Sequence, residues 1–247
     1  MGKLNLLKFD ISYNIARKPA ILIYMFVFPV LMFVLLGMLL SGRFTASLTS
    51  FDYFGITVMI YFQLTMGTMA SNMIMEENVK LPNMRIAYSL VNERYIYYSK
   101  VAALMICDAL AIFIYMLVLK CFFGVDYGNN MLVVFAAYII LGFFSVCLGV
   151  FLCILLRDES SCNNILGVVQ LVLCLLGGIF FPVSVLGKAG LILSDLSIVK
   201  WINYGIGSYV YGSDPSGLAA ICLIAFICSV ILLKITGKIF RIQLFIS

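Results

Sequence analysis

The chain has 247 residues, of which 64% are apolar and 11% charged. A soluble domain carries about 45–50% apolar and about 25% charged residues, so this composition excludes a soluble globular fold and points to an integral membrane protein. The chain has no histidine, which removes the commonest general base and metal ligand, and its net charge of +5 acquires meaning only from where the charges lie.

The first segment, residues 1–19, reads KLNLLKFDISYNIARKP after Met1-Gly2. Leu4, Leu7, Ile11 and Ile15 share one helical face, while Lys3, Lys8, Arg17 and Lys18 supply positive charge toward anionic headgroups. Pro19 then fits a break before the first apolar run. The segment is predicted to be an interfacial amphipathic helix; the competing reading is a frayed tail, since Leu6, Phe9 and Tyr13 blur the apolar face.

Six runs follow, at 20–40, 53–75, 101–123, 131–156, 163–181 and 217–236. Each is close to or above the roughly 20 apolar residues that cross a hydrocarbon core, and continuous runs of this kind are helices in lipid. The first is too long for the apolar core of a signal peptide. The whole chain, 1–247, thus reads as a single transmembrane domain of all-α class.

Lysine and arginine orient the spans. Lys3, Lys8, Arg17, Lys18, Lys80, Arg85, Arg94, Lys100, Arg157, Lys234, Lys238 and Arg241 fall on one side, against Arg43, Lys120, Lys188 and Lys200 on the other. The basic side is expected to be cytoplasmic and to hold both termini, in the cell membrane.

The connections then acquire sides. Outside, 41–51 and 124–130 are short and turn-rich, and inside, RDESS at 157–161 is a tight turn. The stretch 76–100, EENVKLPNMRIAYSLVNERYIYYSK, is cytoplasmic and holds seven charged residues, three acids and four bases. Pro82 and Asn83 can start a short helix over Met84–Leu90, a shape suited to docking a soluble partner; a solvated loop that merely sets topology is the plainer reading. Residues 182–214, too long for a turn and too charged for a seventh span, read as a re-entrant or interfacial excursion at the outer face, or else as a plain structured loop. Trp201, Tyr204, Tyr209 and Tyr211 suit the membrane–water boundary there.

Little in the chain can do chemistry. It has no phosphate-cradling GxxxxGK[ST] loop and no HExxH motif, and none of its eight cysteines forms a CxxC pair, so they read as small packing residues. Asp108, Gln63 and Gln170 lie inside spans. Each reads either as part of a pathway, with Asp108 binding a proton or cation, or as a hydrogen-bonding contact between helices.

The order of parts resembles the ABC-2 family, the transmembrane subunits of a class of ATP-binding-cassette exporters. Glu76-Glu77, Arg85, Leu90 and Lys100 fall where that family has its acidic loop, coupling helix and closing lysine. Gly178-Ile179-Phe180-Phe181-Pro182 fits its G-x-x-F-P signature at the end of helix five, with Leu186 and Trp201 in suitable places beyond. There are departures: Asn78-Val79-Lys80 stands in place of the usual Gly-Thr, Ser89-Leu90-Val91 in place of a proline, and Gly187 in place of a second outer proline.

The resemblance implies a coupling helix between spans two and three and interfacial helices between spans five and six. It assigns Glu76, Glu77, Met84, Arg85 and Tyr88, together with Leu90, Glu93, Arg94 and Lys100, to contact with an ATPase. Gln63, Asp108 and Gln170, with Gly177, Gly178, Phe180, Phe181 and Pro182, become pathway or gate candidates. It further implies two cytosolic ATPase subunits holding ATP and magnesium, no cofactor and no catalytic site in this chain, and pairing with a second copy or a homologue in the bilayer. No partnership with nucleic acid is expected. The cargo class that follows is an amphipathic small molecule, drug or peptide; a glycan or lipid exporter, and a stand-alone secondary transporter or channel using Asp108, are the alternatives.

Overall fold

A computed structural model describes residues 3–41, 49–76, 94–180, 187–212 and 215–239. Every regular element among them is helical, and six helices are long and apolar enough to cross a membrane. The chain is therefore a multi-pass, all-α membrane protein.

Helix α1 spans Lys3–Phe9 and continues as a π-helical stretch, Asp10–Ala16. Ile15 is buried, and Leu7 and Ile11 pack against the core, so the predicted apolar face is used. Pro19 occupies the first turn of α2, Pro19–Leu39, where its missing N–H costs no hydrogen bond. A second π-helical stretch, Ile23–Val27, lies just before Pro29, which cannot donate to the regular ladder.

Helix α3, Ser50–Met75, is the axis of the molecule, with 83% of its most apolar window buried. A capping box starts it: Asp52 N donates to Thr49 Oγ1 at 3.1 Å, and Thr49 N to the Asp52 carboxylate at 3.3 Å. Helix α4, Arg94–Phe123, begins earlier than the apolar run alone predicts, so Lys100 lies within it rather than before it. Helix α5, Met131–Leu156, packs most extensively on α3. Left-handed Arg157 turns the chain directly into α6, Glu159–Leu176, capped by Asp158. The turn expected at 157–161 is thus only Arg157-Asp158, because Glu159 already begins the helix.

The end of α6 also differs from the expected boundary near 181. Gly178, at φ 70°, lets Ile179 N bond Cys174 O at 3.2 Å and Gly178 N bond Leu175 O at 3.4 Å. This is a Schellman closure, so glycine rather than Pro182 ends the helix. Two helices follow, α7, Gly187–Ser194, and α8, Ile198–Gly212, before α9, Ser216–Ile239. Val199, Ile202, Ile206 and Val210 form one buried face of α8, at helical spacing. Helices thus replace a plain loop over the described part of 182–214.

The core divides in two. One cluster includes Phe33, Phe54, Tyr138 and Ile206, near α8. The other includes Ile15, Met73, Tyr97 and Leu166, near α1. All eight cysteines are free, and five of them are buried.

Candidate functional site

The segment 77–93 lies outside the described residues, and with it Glu77, Met84, Arg85, Tyr88, Leu90 and Glu93. Both of its roots are described. Glu76, just past the end of α3, forms an ion pair with Lys18, just before α2. At the other root, Lys100 Nζ lies 3.3 Å from the Asp10 carboxylate, and Ser99 Oγ donates to the same group at 2.5 Å. The N-terminal segment therefore grips both ends of the loop through opposite charges. Lys100 is nearly sealed from solvent, with its charge held toward Asp10. Arg94 opens α4; its side chain lies outside the described residues.

From Glu76, α3 runs the length of the bundle through a column of polar contacts. Ser71 Oγ donates to Asn163 Oδ1 at 2.6 Å, and Asn163 Nδ2 donates to Asn72 Oδ1 at 2.6 Å, tying α3 to α6. Ser145 Oγ on α5 donates to Leu64 O at 2.5 Å and accepts from Gly67 N at 3.0 Å. Gly67 and Gly149 permit this close approach: a Cβ on Gly67 would fall 2.8 Å from Ser145 O, and one on Gly149 would collide with the Gly67 carbonyl.

At the same level Gln63 Nε2 donates to Asp108 Oδ1 at 3.1 Å, joining α3 to α4. The remaining oxygens, Gln63 Oε1 and Asp108 Oδ2, have no hydrogen-bond partner among the described residues, and both face Gly142 of α5. This polar layer sits where the two hydrophobic clusters meet, with Leu64 in one and Met66 in the other. Higher up, Gln170 Nε2 donates to Tyr61 O at 3.3 Å and Tyr138 OH to Ile56 O at 3.1 Å. Gln63, Asp108 and Gln170 thus each take part in a hydrogen bond between helices.

At the end of α3 away from Glu76 lies a pocket of about 320 Å³. Tyr53 and Thr57 of α3 form one wall, Gly177 and Gly178 another, and Asn203 and Gly207 of α8 a third. Two contacts hold its frame. Tyr53 OH donates to Gly178 O, and Asn203 Nδ2 donates to Gly177 O at 3.1 Å. Phe180 stacks edge-on against Tyr61, with ring centroids 5.8 Å apart. Phe181 and Pro182 lie outside the described residues.

Of the residues singled out from sequence, the structure brings together Gln63 with Asp108, and Gly177 with Gly178. Asp10, Lys18 and Tyr53 were missed. Asp10 had a signal, being the lone acid in a basic N-terminal segment, but its partner is 90 positions away.

A family model described as ABC-2 type transporter matches residues 6–211. The match begins in α1 and ends in α8, taking in the loop roots, the polar layer and the pocket. No curated protein matches the chain.

Proposed function

The chain belongs to the ABC-2 type transporter family, and from that premise we propose that it is the membrane half of an exporter, driving amphipathic small molecules, drugs or peptides out of the cell with ATP hydrolysed elsewhere. The family is a membrane transport component that associates with ATP-binding-cassette partners. Two such subunits, holding ATP and magnesium, act on a pair made of this chain and a second copy or homologue. Both termini and the segment 77–93 face the cytoplasm of the cell membrane, and the pocket faces outward.

One observation carries this reading: α3 is a single 26-residue helix that ends at Glu76 on one side and reaches the pocket through Tyr53 on the other. Segment 77–93 seats in a groove of the ATPase, in the manner of a coupling helix. When the ATPases close on ATP, the push enters at Glu76 and Lys100. The ion pairs with Lys18 and Asp10 make the N-terminal segment move with both roots. The hydrogen bonds to α4, α5 and α6 make α3 a stiff strut rather than a bending one. Its far end bears on Gly178, where the chain leaves α6 for the segment that closes the exit.

Reconstitution tests the proposal. The chain and its ATPase, placed together in proteoliposomes with the ATPase sites outward, should accumulate an amphipathic dye in the lumen only when ATP is present. Dye movement independent of ATP, or driven by a proton gradient, contradicts it.

A further inference from the structure

The pocket at the end of α3 has features that bear on what it holds. Tyr53, Tyr204 and Tyr211 line it, the last two well exposed. Lys200, Tyr204, Gly207 and Tyr211 recur along one face of α8 at helical spacing, beside the buried face. The surface is thus aromatic, open on one side and held to α3 and Gly177 by the hydrogen bonds already described. Its volume of about 320 Å³ suits a single-ring ligand.

Charge narrows the choice. Lys200 is the pocket's own cation, but its ammonium is committed to Asp195 at 2.5 Å and Ser194 at 2.7 Å. Two further carboxylates stand at this end of the bundle. Asp52 accepts from Thr49, and Asp126 accepts from Gly128 N at 2.9 Å; both donors are neutral, and among the described residues no cation pairs with either carboxylate. Tyr211, outside the membrane-crossing helices, feels both: partial burial first, and then Asp52 and Asp126, push its hydroxyl up to about 12. Negative potential therefore reaches the tyrosine-lined mouth. Tyrosine faces attract cations in their own right.

We propose that this pocket is a binding site for amphipathic cations, with an aromatic or aliphatic body against Tyr53 and Gly207 and a quaternary or alkylated ammonium against Tyr204 and Tyr211. The assignment rests on the exporter reading in one respect, that the occupant is cargo on its way out. Gly207 lines the pocket, and a Cβ there meets nothing within 4 Å, so a larger side chain can be added at the pocket wall without a clash at its root.

Binding is measured on the purified full chain in detergent, without the ATPase. Trp201 is the chain's single tryptophan, next to Lys200, whose Nζ lies 5.9 Å from the indole ring. Its fluorescence is followed on titration with phenyltrimethylammonium, with tert-butylbenzene as the uncharged isostere and benzenesulfonate as the anion. The expected result is a saturable response to the cation alone. Affinity should fall at least about tenfold in Gly207→Phe and about threefold in the paired Asp52→Asn and Asp126→Asn variant. Tyr204→Ala, at an exposed position, should weaken it by a similar few-fold and guards against misfolding of the glycine variant.

Equal responses to the isostere, a preference for the anion, or no saturable response overturn the proposal. So does a cation response that survives in both Gly207→Phe and Tyr204→Ala. The exporter reading is judged separately by ATP-driven transport. Transport without a cation response removes only the pocket assignment, and a cation response without ATP-driven transport keeps the site and removes its role as cargo.

Discussion

Lys100 and Asp10 meet at 3.3 Å with each side chain only 3% exposed, sealing a charge pair between the N-terminal helix and the first turns of α4. Removing one member strands the other. Asp10→Ala is expected to cost about 3–5 kcal/mol, whereas the Asp10→Leu and Lys100→Met pair should recover most of that loss. Thermal unfolding in detergent reads both. An Asp10→Ala chain as stable as the parent contradicts the sealed pair.

The loop between these roots is the proposed lever. Arg85→Ala combined with Glu93→Ala is expected to abolish stimulation of the partner ATPase by cargo while leaving membrane insertion intact. The three acids and four bases of 76–100, roots included, favour orientation over bulk attraction, so loss of two charges should act on coupling more than on abundance. Unchanged stimulation in an assembled complex counts against the lever.

Asp108 offers a sharper choice. In Asp108→Asn, the amide oxygen still accepts from Gln63 Nε2, and the amide nitrogen can donate to the unpartnered Gln63 Oε1. Stability and transport should therefore be retained. Gln63→Leu leaves the carboxyl without its donor and should cost about 1–3 kcal/mol. Loss of transport in a normally assembled Asp108→Asn protein would move the carboxyl from contact to proton coupling.

Orientation is tested by labelling. With the exposed Cys121 and Cys228 replaced by serine, a cysteine in place of Lys188 should react with an impermeant reagent from outside intact cells, and one in place of Arg157 only after permeabilisation. The reverse pattern inverts the proposed topology.

What could be read from sequence divides along a physical line. The membrane-crossing helices were legible because crossing lipid demands a long apolar run, and α5 matches its run at both ends, Met131–Leu156. Boundaries set by local backbone chemistry were less so. Gly178 closes α6 before Pro182 is reached, and α4 begins among the aromatic and charged residues ahead of its apolar run. Gln63 and Asp108 stood out as polar residues in lipid-facing sequence, which flagged contact between helices. Hydropathy and helical period carry no record of who meets whom, however, so the pairs Gln63 with Asp108, Asp10 with Lys100 and Tyr53 with Gly178 appear only in the fold.

Co-purification shows whether this chain works as the membrane partner of a separate ATPase. The chain is expressed with its neighbouring reading frames, extracted in mild detergent and isolated by a tag on this subunit alone. A soluble ATPase with a phosphate-binding loop should emerge in equal amount and be lost when segment 77–93 is replaced by a glycine-serine linker. A stable chain that emerges alone, and transports without ATP, contradicts that partnership.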